Sequence, residues 1–225
     1  MKISVVIPVL NEAPHIRRTL EGLRDGGFQE ILVADGGSED GTPGIALQVG
    51  ARVIPSPRGR ALQMNAGAAK ASGEVFLFLH ADTRLPAGGL GMIREALADH
   101  EVAGGAFSLA IDSPRPSLRG IARMANLRTR LTRTPFGDQG IFVRREIFDR
   151  IQGFPPWPFM EDVAFSRRMK KEGRVVILRE KVLTSPRRWE GEGVLYGTLR
   201  NWGLLILFFL GVSPFRLKRW YGDVR

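Results

Sequence analysis

The amino-acid sequence predicts one α/β domain, a mostly parallel central sheet with helices packed on both of its faces. Short β-branched runs alternate with helical stretches through the first hundred or so residues, the pattern of strand–helix–strand units. Glycine or proline stands close to most of the expected element ends. The chain has 225 residues, 44% apolar and 25% charged, which is enough for one full hydrophobic core and near the soluble average.

Taken in order, residues 3–8 read as a buried strand, and Pro14 fits the first turn of a helix that ends near Gly26 and Gly27. Residues 31–34 form a second strand, and 42–49 a helix closed by Gly50. Residues 52–54 are a third strand, 60–71 a helix closed by Gly73, 75–79 a fourth strand, and 90–98 the core of a further helix. Beyond this point the pattern is less regular. Phe107, Leu109 and Ile111 alternate with Ser108, Ala110 and Asp112, as in a strand with two unlike faces. An arginine-rich helix covers 118–131, a strand 141–143, a helix 162–171 stopping at Gly173, and a last core strand 175–178. No repeat or low-complexity linker divides the chain.

Composition narrows the function. There is no cysteine, so disulfides and thiolate metal sites are excluded and a cytosolic location is allowed. The net charge of +10 invites nucleic acid, an anionic membrane or a phosphate-bearing substrate. No nucleic-acid-binding motif is visible, so nucleic acid is not an expected partner. The N-terminal apolar run is short, broken by Pro8 and followed by Asn11 and Glu12, unlike a signal peptide. Residues 202–212 are almost wholly apolar, shorter than the ~20 residues a spanning helix needs, and are followed by Phe215, Arg216, Lys218, Arg219, Trp220 and Tyr221. This mixture suits a membrane interface, with a core helix or a subunit contact as the competing readings.

Acidic residues stand where such a sheet gathers ligand contacts, beyond the carboxyl ends of its strands. Asn11 and Glu12 follow the first strand, Asp35 with Gly36, Gly37 and Ser38 the second, and His80, Ala81 and Asp82 the fourth; Glu161 and Asp162 open a late helix. Each alone also fits a turn or a helix cap.

Together these segments resemble family 2 glycosyltransferases of the GT-A fold, from Ile3 to about Trp189. The run from Ile3 through Pro8 to Glu12 looks like that family's first strand and loop, and 33–42 its aspartate–glycine–serine segment. Arg58, Gly59 and Arg60 with Asn65, Ala66 and Gly67 resemble its next helix, and Ser72, Gly73 and Glu74 the turn before its metal strand. The order and spacing are similar to those of a small bacterial subgroup. The resemblance implies a glycosyltransferase domain over 1–190, with 191–225 as a C-terminal apolar and basic segment.

It further implies roles. His80–Ala81–Asp82 stands at the DxD motif, which makes Asp82 the expected ligand of Mg²⁺ or Mn²⁺. His80, in place of the first aspartate, is read either as a donor-site contact or as packing at a strand end. Pro8, Glu12, Asp35 and Arg60 would surround the nucleotide, and Gly36 stands where the family often has a second aspartate. Asp162 is the expected general base, with Glu161, Asp138, Gln139, Arg188 and Trp189 on the acceptor side. Arg187, Arg188 and Trp189 resemble the arginine–tryptophan motif of processive members, but the glutamine that opens it is missing. The implied activity is inverting transfer of a sugar from a nucleotide-diphospho-sugar donor to a lipid or membrane-associated acceptor, peripherally on the cytoplasmic face of the membrane. Two other classes compete. A nucleotidyltransferase would carry a glycine-rich, lysine-containing loop after the first strand, absent here. A non-catalytic membrane-bound interaction protein with a decayed donor site suits His80 but not the intact Asp82 and Asp162.

Overall fold

The computed structural model describes residues 1–221. Among them eight strands form one sheet: β1 (Ile3–Val9), β2 (Glu30–Asp35), β3 (Arg52–Pro55), β4 (Val75–Phe78), β5 (Thr83–Arg84), β6 (Val102–Ile111), β7 (Ile141–Arg144) and β8 (Arg174–Thr184). Their order is β3-β2-β1-β4-β7-β6-β8-β5. Neighbours among the first four pair in parallel, as do β6 and β8, whereas β7 and β5 run against their neighbours. The sheet is mostly parallel, as expected.

The helices are α1 (Ala13–Asp25), α2 (Thr42–Gln48), α3 (Arg60–Lys70), α4 (Gly89–Ala96), α5 (Pro116–Thr132), α6 (Arg145–Arg150), α7 (Glu161–Glu172), α8 (Arg187–Glu192), α9 (Val194–Phe209) and α10 (Pro214–Tyr221). Side chains alternate across a strand, so one strand feeds both faces. Val5, Ile7 and Val9 of β1 join a core with Ile16, Leu20 and Leu23 of α1, Ala46 of α2 and Ile93 of α4. Val6, one residue out of phase, joins the opposite core with Ala61, Met64 and Ala68 of α3, Phe148 of α6 and Phe165 of α7. Aromatic rings lock that second face, with Phe154 stacked on Phe165 at 4.0 Å and edge-on to Phe78 at 4.8 Å.

Residues 107–112 do not form a strand with unlike faces. β6 lies between β7 and β8 and is buried on both sides. Ser108 is tolerated because its hydroxyl donates to the Leu178 carbonyl at 2.7 Å. Gly104 and Gly105 are required there, since a Cβ would stand 2.4 Å from the Phe142 carbonyl oxygen and 2.3 Å from that of Val176.

The apolar C-terminal run belongs to a helix that starts earlier, at Val194, and ends at Phe209. α9 has 16 residues, a length of about 24 Å at 1.5 Å per residue, short of the ~30 Å hydrocarbon core. No helix among the described residues is long and apolar enough to cross a membrane. Leu204, Leu205 and Leu217 of α9 and α10 pack on Met160 and Val163, which flank the first two residues of α7.

Candidate active site

The site forms where β1, β2 and β4 end. Pro8 sits inside β1 and is buried. The β4 ladder stops at the Val6–Phe78 pair, with Leu79 donating to the Val6 carbonyl, so the missing Pro8 amide costs no ladder bond on that side. Asp35 ends β2. Its carboxylate accepts from the amides of Gly37 at 3.0 Å and Ser38 at 3.1 Å and from the Ser38 hydroxyl at 2.5 Å. It therefore shapes its own loop, an Asx-type turn. The Ser38 hydroxyl takes the Asn11 amide and Asn11 takes the Glu39 amide, which ties the loops after β1 and β2 together.

Gln63 of α3 holds those strand ends in phase, and sequence reasoning missed it. Its side-chain amide is buried and donates to the carbonyls of Val9 at 2.6 Å and Ala34 at 2.9 Å. A Cβ at Gly36 would lie 3.1 Å from this amide, so the position has little room for a second aspartate while Gln63 is present.

Glu12 and Asp82 face a third residue from far along the chain. The Arg187 guanidinium makes a bidentate pair with Glu12, at 2.7 and 2.8 Å, and its Nε lies 2.8 Å from Asp82 Oδ2. The Glu12 and Asp82 side chains are only 5% and 10% exposed. The reach is set by strand register: Thr83 pairs with Thr184, which brings the start of α8 beside the β4 end. Arg187 belongs to the arginine–tryptophan segment of the sequence, yet the resemblance assigns acceptor roles only to its neighbours Arg188 and Trp189.

Those neighbours go elsewhere. Arg188 stacks 3.9 Å above the Tyr221 ring and lies 3.7 Å from Glu192. Trp189 packs on the small cluster of Ile111, Leu118 and Ala122, so the structure gives it a packing role between β6 and α5.

Across the strand ends stands α7. Met160, just before it, is buried with φ at 59°, a left-handed bend that turns the chain so that Glu161 and Asp162 open the helix. Asp162 accepts from the Gly137 amide at 2.7 Å and from the Val163 amide at 2.7 Å. Gly137 begins the 3₁₀ turn Gly137–Gln139. A Cβ on Gly137 would meet His80 Nε2 at 3.1 Å and Asp162 Oδ2 at 3.3 Å, so this glycine brings the end of β4 up against the α7 carboxylate.

Glu161 is buried and lies 3.4 Å from Arg60, which joins a residue expected on the donor side to one expected on the acceptor side. Burial pushes the Glu161 carboxyl up to about 7, against the pull of Arg60 and with the help of Asp162. Burial likewise pushes Asp138 up to about 6, opposed by Arg128. Gln139 belongs to the scaffold rather than to a binding surface. It is fully buried, its carbonyl accepts from the Thr129 hydroxyl and the Phe136 amide, and its NH₂ donates to the Phe107 carbonyl.

Among the described residues no group of three or more histidine, aspartate or glutamate side chains is placed to hold a metal unaided. Asp82 offers a single hard carboxylate at the strand end. That fits an ion such as Mg²⁺, which commonly takes one or two protein carboxylates and completes its shell with phosphate oxygens and water.

Comparison with known proteins places this geometry. The sequence matches the model of glycosyl transferase family 2 over residues 4–152. It is 42% identical over 52 residues to glycosyltransferase AglJ of Haloferax volcanii, covering 23% of this chain and 17% of that protein. It is 33% identical over 91 residues to glycosyltransferase AglE of the same organism, covering 36% and 30%. Among solved structures, S. aureus TarS 1–349 in complex with UDP superimposes with a TM-score of 0.69 at 20% identity, over 84% of this chain and 62% of that one. Glucosyl-3-phosphoglycerate synthase from Mycobacterium tuberculosis, in complex with Mn²⁺, UDP and glucosyl-3-phosphoglycerate, does so with 0.59 at 21%, over 80% and 70%. At these identities the structural likeness is one of fold, and the chain spans under a third of the curated relatives. The family match covers more than half of the chain and contains the β1, β2 and β4 ends; the chain belongs to glycosyl transferase family 2.

Proposed function

We propose that this protein is an inverting glycosyltransferase that moves a sugar from a nucleotide-diphosphate donor to a hydroxyl of a lipid or membrane-associated acceptor, working peripherally at the cytoplasmic face of a membrane. The observation that carries the reading is the meeting at Gly137, where His80 from the β4 end and Asp162 from α7 both stand within 3.3 Å of the point a Cβ on this glycine would occupy. Donor-side strand ends and a candidate base thus border one space.

The residues divide the work. Glu12 and Asp35, at the β1 and β2 ends, face the side where a nucleoside binds in such sheets. Asp82 would hold a Mg²⁺ or Mn²⁺ ion, whose charge would offset that growing on the departing diphosphate. Asp162 accepts the acceptor's proton as its oxygen attacks the sugar from the face opposite the leaving group. Its two backbone hydrogen bonds fix the carboxylate while leaving lone pairs for that proton. Arg60, paired with Glu161, links the two halves of the site.

The membrane reading is supported by the surface of the C-terminal helices. Leu195, Leu199, Phe209, Leu210, Phe215 and Trp220 are all more than half exposed. α5, which touches α9, adds exposed Met124, Leu127 and Leu131. An apolar surface of this extent, bordered by Arg216, Lys218 and Arg219, is suited to a headgroup boundary. The complete reading is tested by a thermal-shift screen of nucleoside diphosphates with and without Mn²⁺, followed by transfer assays from the stabilising nucleotide's sugars to lipid extracts. Stabilisation by one nucleotide and labelling of a lipid are expected; no nucleotide stabilising the protein under any metal condition would overturn it.

A further inference from the structure

Between α5 and α9 lies a groove of about 250 Å³ whose walls include Arg128, Phe136, Trp202, Leu205, Ile206 and Phe209. Its lining is mostly apolar, with Thr132 and Thr134 on the α5 side, and its one charged residue is Arg128, whose guanidinium lies 3.4 Å over the Phe136 ring. That guanidinium carries five N–H donors. Its Nε is buried without a hydrogen-bond partner, and one Nη makes a long 3.4 Å contact with the Thr129 hydroxyl. No carboxylate among the described residues lies within ion-pairing distance of it. Asp138 and Asp162 are near enough only to offset in part the effect of burial, which lowers its pKa. A buried guanidinium whose Nε has no acceptor and which lacks a counter-charge is costly, and an anion seated against it recovers that cost.

The groove also leads to the chemistry. Phe136, in its wall, is followed by Gly137, whose amide holds Asp162 at 2.7 Å. Its far wall is α9, which also carries the exposed Leu199 and is followed directly by the exposed Leu210. A volume of about 250 Å³ falls below the roughly 300–1,000 Å³ of pockets that enclose a whole small-molecule ligand. The space suits a segment of a chain, and the nucleotide has its own place at the strand ends.

We propose that this groove binds a single-chain lipid phosphate, its chain against Trp202, Leu205, Ile206 and Phe209 and its phosphate on the Arg128 fork. The inference rests on the reading that the acceptor is a membrane lipid, and it names the class of that lipid. Charge complementarity selects the headgroup, because a guanidinium fork matches two phosphate oxygens at once.

Calorimetry on the full chain with decyl phosphate, kept below its micelle concentration, tests it against decanol and inorganic phosphate. Decyl phosphate is expected to bind at least tenfold more tightly than either. Arg128→Gln should lose at least tenfold in affinity for decyl phosphate and keep that for decanol. Thr132→Trp, which narrows the groove from its rim, should weaken both chains. Both variants should keep nucleotide affinity, which shows that they fold. Equal affinity of wild type and Arg128→Gln for decyl phosphate would overturn the proposal, as would inorganic phosphate binding as tightly as decyl phosphate. The two readings fail differently. Transfer to a lipid with an unchanged KM in Arg128→Gln sinks the groove and leaves the lipid acceptor standing. Arg128-dependent binding without transfer to any lipid upholds the groove and sinks the acceptor reading.

Discussion

Replacing Arg187 by alanine removes the cation that spans Glu12 and Asp82. Three charge-assisted contacts are lost, at 2.7, 2.8 and 2.8 Å. Each would be worth about 1.5–3 kcal/mol if fully desolvated. The Arg187 side chain is 43% exposed, so solvent screening takes a large share of that gain. Against this, the two carboxylates left behind are 5% and 10% exposed and lose their counter-charge. Breaking a fully buried pair costs about 3–5 kcal/mol, and a half-exposed cation places this case near 2 kcal/mol. For a chain of this size that corresponds to a fall in Tm of about 4–8 °C. A divalent ion should reverse the loss. In the wild type it must displace the guanidinium, whereas in Arg187→Ala the carboxylates are open to it, and an ion at a hundred times its Kd adds about 2.7 kcal/mol. Differential scanning fluorimetry with and without Mn²⁺ reads both effects. A variant that melts with the wild type, or Mn²⁺ that raises both proteins equally, would refute the assignment of Arg187 as the internal counter-ion of these carboxylates.

Other expectations follow from the same site. Asp162→Asn should reduce kcat by 10²–10⁴-fold while donor affinity measured by calorimetry stays within twofold. Between pH 5 and 7 the folded state holds more protons than the unfolded one, because the Glu161 pKa is raised to about 7 and that of Asp138 to about 6; the stability these two groups contribute is fully present below their unfolded values and falls as pH rises, by at most about 1.4 kcal/mol per unit for each. Urea midpoints across this range should show the decline in the wild type and a shallower one in Glu161→Gln. Leu199→Glu combined with Leu210→Glu should cut pelleting with anionic vesicles at least a hundredfold, since each exposed leucine contributes about 1.5–3 kcal/mol on burial. Ordinary pelleting by this double variant would remove α9 and the turn after it from the membrane contact.

The parallel half of the fold was legible because strand and helix periods alternate cleanly there, with Gly50 and Gly73 near the helix ends. Residues 107–112 misled because Ser108 looks like a solvent-facing residue, and only the Leu178 carbonyl across the sheet explains its burial. β8 runs to Thr184, well beyond the expected residue 178, since Arg179, Glu180 and Lys181 resemble a loop in a linear reading. The candidate site divides the same way. Asp35, Asp82 and Asp162 stand at element ends that sequence can locate. Arg187 depends on the Thr83–Thr184 register, and Gln139 on a buried amide network that joins three elements. Long-range pairing of this kind has no local signature.

Gln63 has a consequence for how this protein can change. One amide is shared by the carbonyls of Val9 and Ala34, and Gly36 makes room for it. A substitution in either loop is therefore felt at residue 63. A graft that imports a second acidic residue at position 36 from a relative has to import a smaller partner for residue 63 as well, and that partner must still cap both strand ends. Swapping the loop alone crowds the Gln63 side chain, whereas a swap that carries the start of α3 with the loop keeps the pair intact.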